Sequence, residues 1–136
     1  MAKTLTDAIA HVQTLVGGLS GIKKAPQYPP DKISQFPFAV AFPGSGEGYR
    51  EDASSTRELH NIRLEIHMAR KNMARDIAAV IGYWKLVFDE LLSVDNLTLD
   101  GTVDTINRIT YEFGPLGYAD IDTIGYTFTI DVKIRS

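Results

Sequence analysis

Cysteine is absent from the 136 residues. That excludes disulfide scaffolds, thiolate-ligated zinc and every thiol nucleophile, and it leaves the fold to rest on burial alone. It identifies no compartment, because many extracellular proteins also lack cysteine. Long hydrophobic runs are missing too: the longest, Ile77 to Trp84, covers eight residues, where a membrane helix needs about twenty. Asp7, His11 and Gln13 interrupt the first apolar stretch, so no signal-peptide core is expected there and the chain reads as a soluble protein. An excess of basic charge is lacking as well. Fourteen Lys and Arg stand against 17 Asp and Glu, net −3, which argues against a dedicated nucleic-acid binder with a basic stripe.

What the chain does have is the balance of one globular domain over residues 1–136, with 44% hydrophobic and 23% charged residues. A chain of this size buries about two thirds of the surface its unfolded form exposes, enough for one core. The charge is uneven. Residues 1–76 carry ten basic and eight acidic side chains, net +2, and residues 77–136 carry four and nine, net −5. Two explanations stand: a solvated acidic surface, or one that repels a polyanion or meets a basic partner.

Periodicity supplies the elements. Leu5, Ala8, Ile9, Val12, Leu15 and Val16 form one helical stripe over residues 4–16, with Thr4 and Asp7 at its start and Gly17-Gly18 at its end. Prolines 26, 29 and 30 mark a long connection. Phe36 to Phe42 reads as a first strand ended by Pro43-Gly44, and residues 44–56 as a projecting, flexible polar loop. Residues 57–69 form a second strand in which Ile62, Leu64, Ile66 and Met68 alternate with Arg63, Glu65 and His67, the pattern of a sheet with one wet face.

Asn72 is placed to cap a helix from Met73 to Leu92 whose buried stripe comprises Met73, Ile77, Val80, Ile81, Trp84, Phe88 and Leu91. Asp100-Gly101 turns the chain into a third strand over 102–113, and Gly114-Pro115-Leu116-Gly117 turns it again. The fourth strand, 123–135, buries Ile124, Tyr126, Phe128, Ile130, Val132 and Ile134. The expected fold is α+β, in the order α-β-β-α-β-β: a two-layer sandwich of a four-stranded antiparallel sheet with both helices on one face.

Catalytic and ligand-binding patterns are weak. His11, His60 and His67 lack metal-ligand spacing. Glu65 and His67 share a strand face as an acid and a base would, but no nucleophile elbow accompanies them. Gly44-Ser45-Gly46-Glu47-Gly48 is followed by neither Lys-Ser nor Lys-Thr nor a helix, so it is no phosphate cradle. Asp95, Asn96 and Asp100 lack calcium-loop spacing. The expectation is therefore no enzyme activity, no cofactor and no metal. Interface anchors are the alternative use of loop aromatics and charges, although single surface aromatics are ordinary. The candidates are Tyr28, Phe36, Glu47, Tyr49, Arg50, Glu51, Asp52, Arg57 and Tyr118.

Taken in order, the short amino-terminal helix, the strand Phe36–Phe42, the loose segment, the strand around Ile62–Met68 and the helix bearing Tyr83-Trp84 form a recognisable sequence of parts. Leu99-Asp100-Gly101-Thr102-Val103, Tyr111-Glu112-Phe113-Gly114-Pro115-Leu116 and Tyr126 to Val132 complete it. This arrangement resembles the small tail-terminator, or tail-completion, proteins of long-tailed bacteriophages, over nearly the whole chain. The resemblance implies a virion structural protein, assembled in the host cytoplasm, that forms a hexameric ring on a completed tail tube. Its partners would be further copies of itself, the tail tube protein and a head-closure or connector protein, with DNA passing through the lumen without sequence-specific binding and no membrane involved. Another neck component, or a small-ligand-binding module, is the alternative.

Overall fold

The computed structural model describes residues 3–19, 21–22, 25, 35–69, 77–78, 81–118 and 121–135. Helix α1, Leu5–Gly17, starts where Thr4 accepts a 3.2 Å hydrogen bond from the Asp7 N–H. That bond satisfies one of the backbone donors orphaned at a helix start. The helix buries Ala8, Ile9, Val12 and Val16, and the Gln13 side-chain amide donates 3.2 Å to the Ala39 carbonyl, tying it to the sheet.

The sheet holds β1 (Phe38–Arg50), β2 (Thr56–Ala69), β3 (Thr105–Tyr118) and β4 (Ile121–Arg135) in the order β1-β2-β4-β3, with every neighbouring pair antiparallel. Helix α2, Tyr83–Leu91, lies between the hairpins in sequence, and a 3₁₀ turn at Val94–Asn96 follows it. Both helices pack on the same sheet face, giving the expected α+β sandwich in the order α-β-β-α-β-β. Ile62, Leu64 and Ile66 of β2 and Phe128, Ile130 and Val132 of β4 lie at the centre of the core. All six inward residues expected of the fourth strand are buried.

Three boundaries differ from those read off the sequence. The first strand does not end at Pro43. It shifts register between Pro43 and Gly46, then stays paired with β2 as far as Arg50, so most of the expected 44–56 loop is a two-stranded arm whose turn is 51–55. Polar composition hid it, because a β-bulge absorbs one residue and the ladder resumes through backbone bonds that need no apolar side chain. The Gly114–Gly117 stretch does not turn. It runs extended within β3, pairing with residues 122–125 of β4, so the turn comes after Tyr118.

The second helix is shorter than expected. Ile77 and Ala78 are helical, but the chain turns at Ile81-Gly82 and α2 begins at Tyr83, while Asn72, Met73 and Val80 lie outside the described residues. Leu91 is buried and Ile77 and Phe88 pack on the core as expected, and Val87 joins the buried side, whereas Ile81 is 62% and Trp84 37% exposed.

Candidate interaction surfaces

Three places concentrate side chains that the core does not need. The first is the β1–β2 arm. Its outer residues, 43–50, are exposed, and its turn is ordered by the Asp52 carboxylate, which accepts from the Ser54 N–H at 2.8 Å and the Ser54 hydroxyl at 3.0 Å. These bonds, the backbone one first, hold the Asp52 carboxyl below its ordinary range. Glu51 anchors the arm's end. One oxygen lies 2.6 Å from Arg57 of β2, and the other lies 2.9 Å from Nε of Arg135 at the end of β4.

The second place is on the sheet face opposite the helices, where the expected wet face is covered at one end. His67 and Thr123 are wholly buried there, and Glu65 nearly so. His67 Nε2 lies 2.9 Å from a Glu65 oxygen, His67 Nδ1 lies 2.6 Å from the Thr123 hydroxyl, and Arg63 donates to the other Glu65 oxygen at 3.1 Å. Phe38 and Tyr118 pack their rings 6.2 and 5.6 Å from the His67 ring, and Phe36, Val40 and Phe42 extend this second apolar cluster. Hydroxyl, imidazole and carboxylate stand in the order of a hydrolase triad. With His67 and Thr123 at 0% exposure, however, the chain of bonds fastens β2 to β4 beneath an aromatic cover instead of meeting a substrate.

Burial alone pushes the Glu65 carboxyl up, and it is the largest single influence. The His67 hydrogen bond and attraction, with Arg63, outweigh it, so the folded-state pKa lies below the ordinary carboxylate value. The sign follows by linkage: a carboxyl depressed on folding contributes stability above its unfolded pKa and loses it as pH falls through the folded value. Urea midpoints measured downward from about pH 5 should therefore decline, and Glu65→Gln should flatten that decline. An unchanged slope in the variant would exclude Glu65 as a source of acid sensitivity.

The third place borders β3, an outer strand of the sheet. Trp84 stacks on Tyr111 at 6.3 Å between ring centres and 13° between planes, and Phe113 packs on Tyr126 at 4.9 Å. Tyr111 remains 43% exposed and Phe113 37%, so with Trp84 and Ile81 they leave an apolar shelf beside the strand edge. Tyr126 supports the shelf from below by donating to the Ile81 carbonyl at 2.6 Å.

The nine sequence candidates do not gather into one patch. Glu47, Tyr49, Arg50 and Asp52 are exposed on the arm, and Glu51 and Arg57 are partly buried in its ionic clamp. Phe36 and Tyr118 lie at the other end of the sheet, packed in the cluster over His67, and are not the free loop aromatics expected. Tyr28 lies outside the described residues. The exposed aromatic shelf is not among those candidates. Its signal was present in Tyr111 and Phe113, two large rings at strand spacing on one side of an edge strand.

Among the described residues no group of three or more His, Asp or Glu is placed to hold a metal, and no helix is long and apolar enough to cross a membrane. One depression, about 640 Å³, is an open trough crossing Asn61, Arg108, Thr129 and Asp131, and Arg108 is bonded to Asp131 at 3.1 Å across it. No protein-family model matches the chain, and no curated protein matches it either.

Proposed function

We propose that the protein is a structural component of a phage tail: a hexameric ring that caps the completed tube, stops its growth and presents the surface on which the head is joined. The observation that carries the reading is the α-β-β-α-β-β order, spread along the whole chain as in the tail-terminator proteins it resembles. Two features support it. The described strands leave a different sheet edge open on each side, β1 and β3, as a ring with two unlike contact patches per subunit requires. The buried His67 site and the internally paired Arg108–Asp131 trough offer an enzyme reading little to work with. On this reading the protein has no catalytic activity, and its partners are its own copies, the tube protein and a connector protein. A head-closure or connector-adaptor role is the alternative within the same neck assembly.

Electron microscopy of a lysate made by phage lacking the gene tests the proposal. Filled heads beside separate tails, with tails of uncontrolled length, are the expected particles. Normal infectious particles would refute the whole assignment, and separate tails of normal length would move the protein to the alternative neck position.

A further inference from the structure

Strand β3 pairs on only one side among the described residues, and its open stretch is complementary to itself. The start of the strand is already occupied: a bulge lies between Ile106 and Arg108, and the Ile106 N–H donates to the Leu97 carbonyl at 2.8 Å. Beyond it the register with β4 sets the faces. Ile109, Tyr111 and Phe113 lie on the helix side, level with the inward residues of β4, while Arg108, Thr110 and Glu112 lie on the opposite side, level with Asp131, Thr129 and Thr127. Residues 110–113 are exposed in succession, on both faces, which marks an edge that no other element fully covers. Such an edge, carrying large apolar side chains, is a template for another strand.

A two-fold axis perpendicular to the sheet lays β3 of a second copy antiparallel along this edge, with both helix layers on the same side. Directly opposed residues of an antiparallel pair lie on one face, so the axis falls on a residue, and charge selects which. An axis at Glu112 sets that carboxylate against its own copy. An axis at Tyr111 leaves Arg108 opposite a glycine. With the axis at Thr110, Arg108 meets Glu112 of the partner subunit and Glu112 meets Arg108 of the partner subunit, so opposite charges pair on the outer face at both ends of the contact. The same axis sets each Tyr111 against Ile109 of the partner subunit on the helix side, an aromatic facing a β-branched side chain. Trp84, stacked on Tyr111, adds apolar surface beside that contact.

We infer that β3 is a homodimer contact in which two copies of this chain join antiparallel along Arg108–Glu112 about a two-fold axis at Thr110. The Arg108 side chain is 72% exposed, so its guanidinium has donors left for a second carboxylate while it holds Asp131 at 3.1 Å. The inference goes beyond the ring reading and does not rest on it. It describes the chain before assembly, with its apolar edge covered, and a ring built from unlike edges has to open this dimer first.

A residue on a two-fold axis faces itself, which gives the test. Sedimentation of the unaltered chain should show a dimer. Thr110→Lys and Thr110→Glu each set like charges against each other at an exposed position, and each should raise the dimer dissociation constant by about 10-fold or more. An equimolar mixture of the two sets Lys against Glu and should recover the dimer. Glu112→Arg, which sets Arg against Arg at both ends of the contact, should weaken the dimer as the Thr110 variants do, and keeps the test valid should one of those fold poorly. A chain that stays monomeric at every concentration, or assembles only as hexamers, would overturn the dimer, and the hexamer outcome would leave the ring reading standing. Variants that dimerise as tightly as the unaltered chain, or a mixture that remains monomeric, would overturn the axis at Thr110.

Discussion

Gly125→Ala is expected to abolish folding. Gly125 sits in β4 between His67 of β2 and Gly114 of β3, and a Cβ there would lie 1.8 Å from the Ile66 carbonyl oxygen. No rotamer relieves this clash, because the obstacle is backbone in the central ladder, and moving it breaks the β2–β4 pairing on which both core faces rest. The cost should exceed about 4 kcal/mol, a level that single substitutions seldom reach and a large part of the roughly 5–15 kcal/mol that holds a domain together. Gly114→Ala is the control: it lies directly across the ladder, yet a Cβ there meets nothing within 4 Å. Soluble yield and thermal unfolding of the two variants should diverge sharply. Equal midpoints would show that β4 does not approach β2 as closely as described.

His67→Ala is expected to be the most damaging change of a polar side chain. The substitution leaves the Glu65 carboxylate and the Thr123 hydroxyl without the ring both meet, and opens a hole beneath Phe38 and Tyr118. Leaving a buried carboxylate without its hydrogen-bond partner typically costs about 1–3 kcal/mol or more, and cavity formation adds to it in the same direction. Thr123→Val, which keeps the volume and removes one hydroxyl, should cost less, about 1–3 kcal/mol. Denaturant titration of both variants reads the difference. A loss of less than about 1 kcal/mol for His67→Ala, within the ordinary range for any site, would mean the polar chain does not fasten the strands.

The contrast between His67 and the fourth strand shows where sequence reading works and where it stops. Ile124 through Ile134 alternate without interruption, and alternation alone places them, because a strand's side chains must point to opposite faces. Glu65 and His67 obey the same alternation and were assigned to the wet face correctly in direction. The cover over His67 comes from Phe38 and Tyr118, which arrive from other strands and leave no mark near residue 67. The arm was misread for the opposite reason: its ladder runs through backbone bonds between glycines and polar residues, which carry no hydrophobic signal. Ile81 and Trp84 failed because the chain turns at Ile81-Gly82 and the helix restarts at Tyr83, which leaves both exposed while Phe88 and Leu91 keep their expected side. Of the candidate contact residues, those on the arm were legible from polarity and exposure. The shelf was not, because a large apolar side chain at strand spacing reads as core until the strand is known to be outermost.

The extra residue between Pro43 and Gly46 has a genetic consequence. Before it, odd-numbered β1 residues lie toward the helices; after it, even-numbered ones do. Because that residue has no partner of its own in β2, losing one codon at position 44 or 45 would straighten the ladder and leave Gly46 opposite His60 and Gly48 opposite Glu58, each on the side it already faces. A second loss beside it has no spare residue to draw on: it would slip the register by one and exchange the side that carries Glu47 and Tyr49 with the side that carries Gly46 and Gly48. The first deletion is thus expected to be mild and the second severe, a mutational spectrum set by reading parity.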